Sequence, residues 1–116
     1  MQIDRKVIAH LQALRGDLLP RVIQLYRETS PGILDSMQAA IAQDDLSQLY
    51  KSAHSLKNSS ANLGINQLAD CCRELEMRAR QQDMHDVVSL FNNIKNLYAA
   101  ASIALARYEG GGQNAE

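Results

Sequence analysis

From Leu46 to Leu63 the apolar and small residues fall at steps of three, four, three, four and three: Leu46, Leu49, Ala53, Leu56, Ser60 and Leu63. That rhythm is one face of an α-helix, whose turn of 3.6 residues brings i, i+3, i+4 and i+7 into a single stripe. A strand, with its period of two, cannot place these residues together. Gly64 follows at once, where a left-handed residue ends a helix. Asp44-Asp45 stands before the stripe and supplies negative charge at the helix start.

The same rhythm runs through most of the chain. Ile3, Val7, Leu11 and Leu14 predict a first helix over about 4–15, capped by Asp4 and stopped at Gly16. Leu19, Val22, Tyr26, Ile33, Met37 and Ile41 share a face over about 17–43. Ser30-Pro31-Gly32 interrupts that face, and an interior proline removes a backbone bond at a cost of roughly 3 kcal/mol. The expectation is a kink there, or two collinear helices with Ser30 capping the second. Beyond Gly64, Asn66 is the expected cap of a helix with the core seam Leu68, Cys72, Leu75 and Ala79. Asp83, with Asp86 three residues on, is the expected cap of a last helix. Its stripe is Val87, Phe91, Ile94, Leu97, Tyr98, Ala101, Leu105 and Tyr108. The sequence contains no long alternating run and no internal repeat. Short connections favour antiparallel neighbours. The predicted fold is all-α: residues 1–109 form an up-and-down antiparallel four-helix bundle with a short N-terminal helix. Residues 110–116, GGGQNAE, are expected to be a disordered C-terminal tail.

Charge and composition remove several function classes. The 116 residues carry a net charge of −1, without the basic excess that nucleic acid or an anionic membrane surface would favour. No apolar run approaches the roughly 18 residues of a membrane span. The start, MQIDRKVIAHLQ, is too polar for a signal peptide. The two cysteines, Cys71 and Cys72, are adjacent and offer no disulfide framework, so the reducing cytoplasm is the expected compartment. The initial Met and complete helix set favour a free-standing protein. No P-loop, GxGxxG, HExxH or CxxC occurs, so neither a nucleotide nor a metal site is expected. Cys72 lies on a core seam, which favours an inert buried thiol.

What stands out is the surroundings of one histidine. In AHSLKNSSANLG, Ala53 to Gly64, His54 lies about 100° round the helix from the inward-facing Ala53, and so on the exposed flank. Tyr50, Lys51, Lys57, Asn58 and Ala61 share its side, at helical spacings from it or from one another. Lys57 can bring an ammonium close to the ring, favouring a neutral, nucleophilic imidazole or neutralising an anion bound to it. Ser55, Ser59 and Ala61 are small enough to let another protein surface approach. By spacing alone, a single histidine on a helix flank reads more often as a solvated surface residue than as a functional one. His10, beside the core face of the first helix, and His85, in the expected first turn of the last, read as structural or solvated.

AHSLKNSSANLG resembles the signature of histidine-containing phosphotransfer (HPt) domains, His-x-x-Lys-Gly-small-small followed by a glycine at the helix end. The resemblance extends to QAAIAQDDLSQLYKSAH before the histidine, to LADCCRELEMRAR after Gly64, and to the final amphipathic helix. It implies that His54 is the phosphoacceptor, passing a phosphoryl group between receiver-domain aspartates, and that Lys57 steadies the phosphoryl charge. It implies that Glu76, on the neighbouring helix, holds the ring. Arg80, one turn later, is expected to pair with Glu76 or to reach the phosphoryl group, the plainer reading of the two being an i,i+4 surface pair. Tyr50, Lys51 and Ala61 would belong to the receiver-docking surface. The expected partners are receiver domains of response regulators or of a hybrid sensor histidine kinase, meeting a monomer. No cofactor is expected in this chain, the Mg²⁺ belonging to the receiver. One departure stands out: Asn58 occupies the position of the family glycine, where it crowds the phosphoryl group or donates a hydrogen bond to it. Asn58 also sustains a second reading, a helical module that binds and regulates a receiver without transferring phosphate.

Overall fold

The structure is a computed structural model that describes residues 1–109. The expected tail, residues 110–116, lies outside the described residues. Five α-helices follow one another: α1 (Arg5–Leu14), α2 (Leu18–Ala42), α3 (Leu46–Asn62), α4 (Asn66–Arg80) and α5 (Val87–Glu109). Among the described residues there is no strand. The helices form an elongated bundle of 47 × 22 × 21 Å. In it α2 packs on α3 and α5, α4 packs on α3 and α5, and α1 lies on α2.

Burial explains the arrangement. Leu49, Ala53, Leu56 and Leu63 of the α3 stripe are fully shielded, as are Leu68, Cys72 and Leu75 of α4 and Ile94, Ala101 and Leu105 of α5. Fully burying a leucine-sized side chain stabilises a fold by about 1.5–3 kcal/mol, so these facing stripes supply the main attraction between helices. Ser60, on the α3 stripe, is also buried, and its hydroxyl shares a 2.8 Å hydrogen bond with the Tyr26 hydroxyl of α2. Burial pushes the Tyr26 phenol upward from its ordinary range, although the Ser60 hydrogen bond opposes the shift.

Several local expectations need correction. α2 runs unbroken through Pro31, with Ser30 buried inside it rather than capping a second helix. Leu19, Ile23 and Tyr26 before the proline and Met37 and Ala40 after it are all buried, while Pro31 itself is exposed. Burial on both sides of the proline outweighs one missing backbone bond. In α1 the buried residue is Ile8, and Leu14 stands 58% exposed. α1 ends through an extended Arg15, before Gly16. The residue flanking α4 is Ile65, with no side-chain cap, and Asn66 is the first helical residue. Asp83 accepts a hydrogen bond from the His85 amide in the connecting loop instead of capping α5. Asp86, in the left-handed region at φ 63°, turns the chain into α5, so His85 lies before that helix.

Two long-range ties were not legible. Arg27 of α2 binds Glu109 and the hydroxyl and carbonyl of Ser102 on α5. At the other tie, Asp4 caps α1 by accepting from the Lys6 amide, and its own amide donates to the Gly64 carbonyl at 2.9 Å. The start of α1 is thereby fastened to the turn between α3 and α4.

Candidate functional site

Seventeen residues of α3, opened by Asp45 accepting from the Gln48 amide, fix the direction in which His54 points. Ala53 and Leu56 face the core, which leaves His54 on the flank with its side chain 47% exposed. On α4, Cys72, Leu75 and Ala79 face the core, and Glu76 lies between them and the α3 surface. Its side chain is only 8% exposed.

One carboxylate joins the two helices. Glu76 Oε2 lies 2.5 Å from His54 Nδ1, and Glu76 Oε1 accepts from Lys57 Nζ at 2.6 Å. An ionised carboxylate only accepts, so the Nδ1 nitrogen carries the hydrogen and the neutral ring keeps its lone pair on Nε2. Lys57 binds the same carboxylate as the imidazole. Its charge offsets that of Glu76, so the ring is oriented without a net negative charge beside it. Tyr50 stacks on the His54 ring at 5.8 Å between centroids with the planes 12° apart. Asn58, one turn on, places Nδ2 3.2 Å from Nε2.

The other expected site residues are distributed unevenly. Arg80 does not pair with Glu76. It donates to the Tyr50 hydroxyl at 3.0 Å and lies over the same ring, bracing the stack from outside. Lys51 lines an adjoining hollow with Leu46 and Ser47, walled off from His54 by Tyr50 and Arg80, and Ala61 is exposed further along α3. Arg73 and Met77, unnoticed in the sequence, border a hollow of about 280 Å³ together with Tyr50, His54, Lys57, Glu76 and Arg80. Their signal was present: Arg73, Glu76 and Arg80 repeat at three and four, and Met77 lies four after Arg73 and three before Arg80.

Elsewhere, burial pushes the Cys72 thiol up to about 12, which keeps it from acting as a nucleophile. Among the described residues, no group of three or more His, Cys, Asp or Glu side chains converges as a metal site. No helix is long and apolar enough to cross a membrane, among the same residues.

Glu76 carries a testable charge. Burial would raise its pKa, but the hydrogen bonds from Lys57 and His54 and the Lys57 ammonium together outweigh burial and hold it below the ordinary carboxylate value. A depressed carboxylate stabilises the fold above its unfolded value, about 4.3, and that contribution disappears as pH falls through the folded value. Glu76→Gln should therefore cost about 1–2 kcal/mol at pH 5 and above, with the difference from the parent shrinking below about pH 4. Denaturant unfolding across that range measures it. A difference that stays unchanged down to pH 3 would mean that Glu76 is not ionically paired.

The comparisons agree on one family. The sequence model of the Hpt domain matches residues 21–104. A crystal structure of histidine-containing phosphotransfer protein B (HptB) from Pseudomonas aeruginosa PAO1 superposes with a TM-score of 0.89 at 30% identity, covering 93% of this chain and 94% of that one. No curated protein matches the sequence. With the family model spanning most of its helices and a relative of near-equal length sharing its fold, the chain belongs to the Hpt domain family.

Proposed function

We propose that this protein is a phosphocarrier of a multistep two-component phosphorelay, and that His54 is its phosphoacceptor. The observation that carries the assignment is the exposed imidazole with Nδ1–H held by buried Glu76, leaving the Nε2 lone pair for attack. Phosphoryl transfer runs through a loose transition state, so positioning and charge neutralisation do most of the work. In the forward step, the Nε2 lone pair forms the N–P bond while the P–O bond to the receiver aspartate breaks. The aspartate carboxylate leaves with the electron pair. The ring becomes a phosphorylated imidazolium whose Nδ1 proton stays on the hydrogen bond to Glu76. The return step is the reverse, onto a second aspartate. Lys57 balances Glu76 and lies one turn from the phosphoryl position, and Arg80 keeps Tyr50 stacked.

Residues 1–109 act as one unit, an up-and-down antiparallel bundle of α2–α5 with α1 as the short N-terminal helix. The chain works as a cytoplasmic monomer, with most of its apolar stripe residues packed in its own core and Leu14 left outside it. It carries no cofactor, the Mg²⁺ residing in the receiver. Its partners are receiver domains of response regulators or of a hybrid sensor histidine kinase. Tyr50, Lys51 and Ala61 lie on the side that meets them. Mixing the protein with a phosphorylated receiver and Mg²⁺ should yield acid-labile, base-stable phosphate on this chain. Stable binding to receivers without any such phosphate would establish a regulatory module in place of a carrier.

A further inference from the structure

We propose that Asn58 is a working part of the phosphoryl site, guarding the Nε2 lone pair of His54 in the unloaded protein and holding the phosphoryl group in the loaded one. The proposal rests on the phosphocarrier reading and concerns the face of the ring that Glu76 leaves free. Because the Nδ1 hydrogen is directed at Glu76, the only acceptor on the neutral ring is Nε2. The Asn58 amide nitrogen stands 3.2 Å from it and donates there. Both ring nitrogens are then engaged within the chain, one from each side.

The nucleophile is consequently covered by a neutral hydrogen bond, at a side chain that is itself exposed. An exposed amide rotates away readily, so the cover is light. It must nevertheless be lost before the N–P bond forms, because a lone pair shared with an N–H cannot attack phosphorus at the same time. Asn58 lies one helical turn C-terminal to His54, so after transfer the same N–H groups reach the phosphoryl oxygens attached to Nε2. An amide donating to an anionic oxygen makes a stronger hydrogen bond than one donating to a neutral ring nitrogen. The side chain thus gains by moving from nitrogen to phosphoryl, and it slows both entry and loss of the phosphate.

Asn58→Ala tests this without endangering the fold, since alanine is the better helix former. The ¹⁵N resonances of the His54 ring in the unphosphorylated protein read the contact directly. In the variant the Nε2 resonance should move toward that of a free, unprotonated ring nitrogen, while Nδ1 stays in place. With phosphoramidate as the phosphodonor, the variant should accept phosphate about three- to tenfold faster and lose it faster by a similar factor. Asn58→Asp, which keeps the shape but cannot donate, should also lose phosphate faster than the parent. An unmoved Nε2 resonance in Asn58→Ala overturns the contact. A moved resonance with parental acceptance and loss rates overturns the role. If neither parent nor variant takes phosphate, from phosphoramidate or from a phosphorylated receiver, the carrier reading falls and this role falls with it, whatever the resonances show.

Discussion

His54→Gln is expected to fold like the parent and to take no detectable phosphate from a phosphorylated receiver. Glutamine keeps an N–H that can donate to Glu76, so the buried carboxylate retains a partner. The position is about half exposed, and substitutions at such sites away from the core usually change stability by no more than about 0.5 kcal/mol. What glutamine lacks is a nucleophilic nitrogen, because its amide lone pair is delocalised into the carbonyl. Circular dichroism and thermal unfolding establish the fold, and transfer from a labelled receiver establishes the chemistry. Phosphate retained on the variant would remove His54 from the mechanism. So would phosphate on His10 or His85, which are exposed on α1 and in the loop before α5.

Gly64→Ala should be the most damaging small change to stability, about 2–3 kcal/mol. Two effects combine. Gly64 has φ 74°, where a side chain costs roughly 1–2 kcal/mol. A Cβ would also stand 3.0 Å from Asp4 Cβ and 3.1 Å from the Asp4 backbone nitrogen and oxygen. Contacts that short force the Asp4 segment to shift and weaken its hydrogen bond to the Gly64 carbonyl. For a domain of this size the melting temperature should fall by roughly 10 °C. Gly64→Asn separates the two effects, since asparagine tolerates the left-handed region better yet still meets Asp4. It should recover only part of the loss. Parental melting for Gly64→Ala would discard both parts of the account.

Gly64 also shows how far sequence reasoning reaches. Its left-handed role followed from its place after the Leu46–Leu63 stripe, and the structure has that backbone. The close approach of Asp4 did not follow, because periodicity gives an angle about one helix axis and is silent on which distant segment crosses it. The α3 and α4 seams were legible for the same reason that Ile8 and Ile23 were not. Where one stripe is long and unambiguous it selects its own face, whereas α1 is short and α2 offers overlapping apolar residues. The site divides similarly. His54 on an open flank, with Tyr50 and Asn58 one turn either side, is local geometry. The burial of Glu76 depends on how α4 lies against α3. An i,i+4 pair with Arg80 therefore looked natural in sequence, whereas the structure gives Glu76 to His54 and Lys57 and Arg80 to Tyr50.

The sharing of Glu76 between a lysine and the ring bears on reversibility. A bound phosphoryl group brings about −2 charges, but the phosphorylated ring gains one positive charge, which the Glu76 carboxylate is already placed to hold. Loaded and empty forms consequently differ by about one net charge rather than two, and with Lys57 and Glu76 cancelling each other, little else near the ring changes sign. On the proposed reading with His54 as phosphoacceptor, an approaching receiver therefore meets a loaded form more negative by about one charge instead of two, a smaller electrostatic bias for an intermediary that must both take from one partner and give to another.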